Sequence, residues 1–251
     1  MPVVVHVPHS ATHVPADVRA DIELDDAALA DELRRLTDHG TDRFTLGAPS
    51  LGATVLVNRC SRLVVDPERF LDPEAEEMEA VGMGAVYTAT SDGSVLRRLS
   101  VAQRATLLSR FFVPYHAALT GLVTDQLDRW GRCAIVDVHS YPSEALPYER
   151  HGDRDRPELC VGTDPVHTPT WLREVVVDVA AAHGLGRGFD GPFTGTFVPT
   201  LHLGDARVVS VMLEIRRDTY LDEVTATPHA GEQRIRALCT AVVAALAERV
   251  W

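Results

Sequence analysis

The four cysteines, Cys60, Cys133, Cys160 and Cys239, include no CxxC pair. Their spacing offers neither a zinc ribbon nor a disulfide framework, so buried free thiols are expected. A basic tract is also missing: 36 Asp and Glu outnumber 24 Lys and Arg along the whole chain, for a net charge of −12. With nothing to neutralise phosphates, nucleic acid is not an expected partner. No stretch reaches the roughly 18 uninterrupted apolar residues of a membrane span, so no membrane partner is expected either. The first strand-like segment, Val3 to Val7, begins almost at the initiator Met, with no charged leader or small-residue cleavage site before it; a cytoplasmic location is therefore expected. No GxSxG elbow is present, and Ser10 and Ser140 each follow a histidine directly, a spacing that discounts a serine nucleophile. No internal repeat, low-complexity tract or linker is found. The 251 residues, 45% of them hydrophobic, are expected to form one domain, 1–251, around one core.

Strand-like and helix-like patterns alternate, which favours an α/β fold: a mostly parallel mixed sheet flanked by helices. The clearest strands are Val3 to Val7, Thr54 to Val57, Cys133 to Val138 and Val208 to Ile215, short, rich in β-branched residues and suited to burial on both faces. Helices are expected over Asp26 to Leu36, Val95 to Trp130 with an interruption at Pro114, Thr170 to His183, and Pro228 to Val250. The last aligns Ile235, Leu238, Val242, Leu246 and Val250 on one stripe, with Thr227 as N-cap and Pro228 at the first helical position. Between Gly184 and Gly204, glycine and proline predict a loop-rich segment or a hairpin.

His9 and His139 each follow an apolar strand. Ligands of open α/β sheets bind beyond the carboxyl ends of the strands, so the two imidazoles converge if those strands are neighbours. Asp137, on the same strand face as His139, is placed to orient its ring. Glu214 lies inside the apolar run VVSVMLEIRR, where a carboxylate is costly to bury alone. Its alternatives are a catalytic role or an ion pair with Arg216. Asp38 and Asp42, at a helix end, are weaker candidates, since such groups are usually solvated. In NRCSRLVVDPERF, Arg59, Arg62 and Arg69 surround Asp66. They read either as a receptor for an anionic substrate or as a structural network with Asp66 and Glu68.

These residues fall in blocks that resemble the N-formylglutamate amidohydrolases, a family within the zinc carboxypeptidase-like (phosphorylase/hydrolase-like) fold. PHS at 8–10, Thr37-Asp38, SRLVVDPER at 61–69, YTATSDG at 87–93, PYH at 114–116, DVHS at 137–140 and LEIRRDTYLDE at 213–223 run in the family's order. The resemblance implies that His139 is a metal ligand and Glu214 the general base. It implies His9 as a second imidazole ligand and Asp38 as an acidic third, for one Zn²⁺ or another divalent ion. The carboxypeptidases place their acidic ligand three residues after the first histidine, where this chain has Thr12, so the carboxylate comes from elsewhere. Another departure is DPER where the family commonly reads DLNR, which puts Glu68 in the place of an asparagine.

The activity implied is hydrolysis of the amide of a small anionic N-acyl amino acid. For N-formylglutamate the products are formate and glutamate. Arg62 or Arg69 is expected to stabilise the oxyanion while the other, with Arg59 nearby, grips the substrate carboxylate. Thr194 and Gly195 belong to GPFTGTF, which resembles a glycine-containing loop of the family expected to close over substrate; an ordinary hairpin is the other reading. A deacylase or carboxypeptidase acting on another acyl compound, and a binding module that has lost turnover, remain the alternatives.

Overall fold

The computed structural model describes residues 1–72, 74–149, 152 and 154–249. The elements are β1 (Val3–Val7), α1 (Ala16–Arg19), α2 (Asp26–Leu36), α3 (Thr41–Phe44), β2 (Thr54–Val57), α4 (Val101–Leu107), α5 (Val113–Trp130) and β3 (Cys133–Tyr141). There follow β4 (Leu159–Gly162), α6 (Thr170–Ala182), β5 (Arg187–Phe189), β6 (Val208–Arg216), β7 (Leu221–Asp222), β8 (Thr227–Pro228) and α7 (Gly231–Glu248). Six strands form one sheet in the order β2-β1-β3-β6-β4-β5. The first four are parallel, β4 runs against β6, and β5 runs with β4. β7 and β8 form a separate ribbon. The chain is thus α/β with a mostly parallel mixed sheet. Among the described residues no helix is long and apolar enough to cross a membrane.

The alternation of side chains along each strand divides the sheet into two unlike faces. Val3, Val5 and Val7 of β1, Ala134, Val136 and Val138 of β3, and Val209, Val211, Leu213 and Ile215 of β6 pack in one apolar cluster. α6 and α7 cover it, contributing Leu172, Val176, Ile235, Leu238, Val242 and Leu246. On the opposite face the apolar residues stop half-way. Val4, Cys133, Ile135 and Val208 pack under Leu119, Val123 and Leu127 of α5, while the carboxyl-terminal half carries His6, Asp137, His139 and Glu214 in register across β1, β3 and β6.

β1 lies between β2 and β3, so the connection leaving β1 and the one arriving at β3 diverge on either side of it. The crevice opened at such a switch point, beyond the strands' carboxyl ends, is where ligands bind in open α/β sheets.

Several elements differ from expectation for local reasons. The long helix begins at Val101, where Ser100 and Gln103 make a capping box, rather than at Val95. Its interruption is a π-helical turn over Leu108–Phe112, one residue ahead of Pro114, where the missing N–H is accommodated. Thr227 and Pro228 form a strand rather than a cap, and α7 starts three residues later. Val250 lies outside the described residues. The Gly184–Gly204 segment is a loop entered through β5, not a hairpin. All four cysteines are free, three of them buried and Cys60 half-buried.

Leu238 is fully buried between α7 and the sheet. Leu238→Ala is expected to lower unfolding free energy by about 2–5 kcal/mol, measured by urea denaturation; a change below about 1 kcal/mol would contradict this account of the core.

Candidate active site

Each polar group reaches the crevice by a separate piece of local structure. β1 ends at Val7, and the chain delivers His9 just past the strand. α2 is capped by Asp25, whose side chain accepts from Ala28 N (2.8 Å), and it stops where Thr37 turns extended. Asp38 N then donates to His9 O (3.0 Å), which brings the aspartate beside the histidine. Gly40 follows at φ 83°, a turn that other residues resist. The arginine-rich loop comes from further away. Buried Arg97 holds it, donating to the carbonyls of Tyr87 (2.7 Å), Leu63 (2.7 Å) and Val64 (3.0 Å). His116 on α5 donates from Nε2 to Pro67 O (2.7 Å) and anchors the turn that carries Glu68.

The two imidazoles face each other. His9 Nδ1 and His139 Nδ1 are 3.3 Å apart, and Asp38 Oδ2 is 3.2 Å from His139 Nδ1 and 3.7 Å from His9 Nδ1. The opposite nitrogen of each ring donates to a buried carboxylate: His9 Nε2 to Asp66 Oδ1 (2.9 Å) and His139 Nε2 to Asp137 Oδ1 (3.0 Å). A proton held on Nε2 leaves the Nδ1 lone pairs directed into the pocket.

The carboxylates are themselves fixed. Asp66 Oδ2 accepts from Arg62 Nη2 (2.7 Å), Arg62 Nε (3.1 Å) and Tyr87 OH (2.7 Å), with Arg69 Nε 3.5 Å away. Asp137 also accepts from His6 Nδ1 (2.8 Å) and from Phe197 N (3.1 Å). Asp38 Oδ1 accepts from Arg217 Nη2 (3.2 Å).

Burial and charge set the protonation of these groups. Burial works to raise Asp66, but Arg62, His9 and Arg69 outweigh it and hold its pKa well below the carboxylate range. Burial also works to raise Asp38, and the two imidazoles prevail and lower it. His9 is lowered by burial and by Arg62, yet Asp66 and Asp38 leave it raised. For His139 burial is again overcome, by Glu68, Asp137 and Asp38, and its pKa stands well above the ordinary value.

Glu214 is the exception. Only 8% exposed, it makes no hydrogen bond or ion pair with a described residue, and its Oε2 is buried without a partner. The ion pair with Arg216 does not form; Arg216 Nε donates to Asp218 instead (2.7 Å). Burial pushes Glu214 up to about 7 even with His139 beside it.

The expected residues therefore fall into two groups. His9, Asp38, His139 and Glu214 meet at one rim of the sheet, with Arg62 and Arg69 behind them on Asp66. Arg59 is exposed and pairs with no described residue. Thr194 is also exposed, its hydroxyl donating to Asp190 Oδ1 (3.2 Å). Gly195 packs its carbonyl against Gly162 on β4, so GPFTGTF reaches the site through the Phe197 amide. Thr12 is exposed, and Asp42 is half-buried and outside the cluster.

Three residues had not been singled out as parts of the site. Glu68 Oε2 lies 3.2 Å from His139 Nε2 and 3.7 Å from His9 Nδ1. His6 belongs to the same network. Arg217 fixes Asp38. For His6 the signal was present, a lone polar side chain within the buried strand VVVHV.

Donors bonded to zinc at about 2.0–2.2 Å in tetrahedral geometry stand roughly 3.3–3.6 Å apart. The His9, His139 and Asp38 donors, at 3.2–3.7 Å, fit that spacing. His9, Glu68 and His139 also bring donor atoms within 4.8 Å of one another. The first set has both rings oriented by carboxylates on their far nitrogens, and we take it as the better fit. With both imidazoles neutral, as ligation requires, and Glu214 ionised, the five carboxylates of Asp38, Asp66, Glu68, Asp137 and Glu214 exceed the three guanidinium groups of Arg62, Arg69 and Arg217 by two charges, which a divalent cation would balance.

Sheet and pocket together define an α/β protein with a histidine–carboxylate site at the carboxyl ends of its parallel strands. Residues 1–221 match the family model of N-formylglutamate amidohydrolase, and the chain belongs to that family. Its structure is similar to the N-formylglutamate amidohydrolase from Ralstonia eutropha JMP134, with TM-score 0.86 and 26% identity over 99% of this chain and 93% of that one. It shares its fold with a gene product of Agrobacterium tumefaciens, with TM-score 0.69 and 19% identity over 98% and 92% of the two chains. No curated protein matches the chain by sequence.

Asp66→Asn removes one partner of a buried ion-pair network and is expected to cost about 3–5 kcal/mol at neutral pH. Because the folded-state pKa of Asp66 is depressed, its contribution is present above the unfolded carboxylate pKa and is lost as pH falls. Denaturation of both proteins from pH 7 down to about pH 2 should show the gap steady above about pH 4 and narrowing below it, as the unfolded carboxylate takes up its proton; a gap that widens toward acid would contradict the assignment.

Proposed function

We propose that the protein is a metal-dependent amidohydrolase that cleaves the amide of N-formylglutamate or a close N-acyl amino acid. The observation that carries this reading is the set of donors on His9, His139 and Asp38 at tetrahedral spacing, beside a buried Glu214 that pairs with no described residue. Family membership supports the reaction class.

His9 and His139 through Nδ1, with Asp38, would hold the ion. Zinc, when bound at such a site, lowers the pKa of its water toward neutrality and polarises a carbonyl. Glu214 takes a proton from the attacking water as its oxygen joins the carbonyl carbon. It returns that proton to the nitrogen as the C–N bond breaks, giving a carboxylic acid and a free amine. A carboxyl group poised near neutrality suits both halves of this shuttle.

Arg62 commits Nε and Nη2 to Asp66 and keeps Nη1 for a ligand. It and Arg69 are the groups to meet the oxyanion and the substrate carboxylate. This reading leaves Arg59, outside the cluster, without a part in binding.

Glu214→Gln keeps the size of the side chain and removes its basicity. It is expected to lower kcat by about 10²–10⁴-fold with the metal content unchanged, as read by elemental analysis and steady-state kinetics. Retention of wild-type kcat would refute the role of Glu214.

Dialysis against a chelator is expected to abolish formate release and added Zn²⁺ to restore it. Full activity of the metal-free protein would refute the metal-dependent scheme. Glu68, where the family commonly has asparagine, favours a second reading in which another N-acyl amino acid is the preferred substrate. A panel of N-formyl and longer N-acyl amino acids separates the two by their kcat/KM values.

A further inference from the structure

Glu68 has two oxygens that face different histidines. Oε2 lies 3.7 Å from His9 Nδ1, a donor of the first set, and 3.2 Å from His139 Nε2, while Oε1 lies 3.5 Å from His6 Nδ1. His6 Nδ1 is also 2.8 Å from Asp137 Oδ1. His6, Glu68 and Asp137 thus bring a second set of donor atoms within 4.8 Å of one another, next to the first.

Three buried polar atoms in this corner have no hydrogen-bond partner: Glu68 Oε1, His6 Nε2 and Tyr115 OH. The His6 and Tyr115 rings are 5.7 Å apart between centroids. Buried polar atoms without partners are costly, and three in one place call for a common cause.

We propose that His6, Asp137 and Glu68 form a second divalent-cation site, with Glu68 as the carboxylate between the two ions. The inference rests on the metal-dependent reading above. A cation on His6 Nδ1 would move the ring proton to Nε2, and the cation itself would engage Glu68 Oε1. One ion therefore gives Glu68 Oε1 its partner and turns His6 Nε2 from an unpaired acceptor into a donor on the side of the Tyr115 ring. Asp137 Oδ1 keeps its bond from His139 Nε2 on one lone pair and offers the other to the ion. The 2.8 Å contact between His6 and Asp137 is that of a hydrogen bond, and loading opens it by about 0.5 Å to the spacing of two donors on one ion.

Imidazole with two carboxylates suits Zn²⁺, Mn²⁺ or Co²⁺. Of the three ligands Glu68 is the most accessible, with its side chain 16% exposed, while His6 is fully enclosed. With two divalent ions the pocket changes from a deficit to an excess of two positive charges, which favours a substrate bearing two carboxylates.

The test is a count of ions. Protein stripped by chelator and dialysed against saturating Co²⁺ should bind two ions per chain, with the paramagnetic resonance signal reduced by coupling between them. His6→Gln, checked for folding by circular dichroism, should bind one and give an uncoupled signal. The wild-type count needs no variant, so it decides the matter even if His6→Gln does not fold. One ion per wild-type chain, or two in His6→Gln, overturns the second site and leaves the first standing; no bound ion overturns both.

Discussion

His9 and His139 present their Nδ1 atoms to each other at 3.3 Å, with an aspartate oxygen against both. Left to themselves, two imidazoles would rotate apart or stack. Here they cannot, because each ring is tied at its far nitrogen to a carboxylate that other donors already hold. Asp66 is clamped by Arg62 and Tyr87, Asp137 by His6 and the Phe197 amide, and Asp38 by Arg217. Removing any clamp frees a ring or a carboxylate oxygen to turn. This arrangement determines both the fit of the pocket to a cation and the isolation of Glu214, whose carboxylate pairs with no described residue.

The sheet makes the arrangement affordable in stability. One face is apolar from end to end and carries the α6–α7 layer. The other is apolar only beneath α5, so the polar half of that face concentrates at the carboxyl ends of β1, β3 and β6. Connections at the β1–β3 divergence then add what the strands cannot supply: Asp38 from the end of α2, and Asp66 and Glu68 from the arginine-rich loop. The buried guanidinium of Arg97, satisfied by three backbone carbonyls, holds that loop in place.

The strand half of this organisation was legible in the amino-acid order. β1 and β2 have the expected bounds, β3 and β6 run on by three residues and one, and α2 coincides with its pattern. Short β4 and β5 were not legible, because four and three residues carry too little periodicity to separate strand from loop. Within the site, strand alternation placed Asp137 with His139 and singled out Glu214. The same alternation applies to His6, a lone polar side chain in an apolar strand. Asp38 and Glu68 depend on tertiary docking, where a helix end and a loop are carried to the sheet, and no local pattern announces that. Arg217 was masked by Arg216, which shares the strand face of Glu214 but turns to Asp218.

The claim on which the account stands is that His9 and His139 turn their Nδ1 atoms to one ion. Anomalous diffraction at the zinc edge, from crystals grown with Zn²⁺, tests it most directly. The account predicts a peak about 2.0–2.2 Å from both Nδ1 atoms and from an Asp38 oxygen. A zinc peak bonded to these rings through Nε2, with Asp66 and Asp137 displaced, or no peak between the two rings, would contradict it.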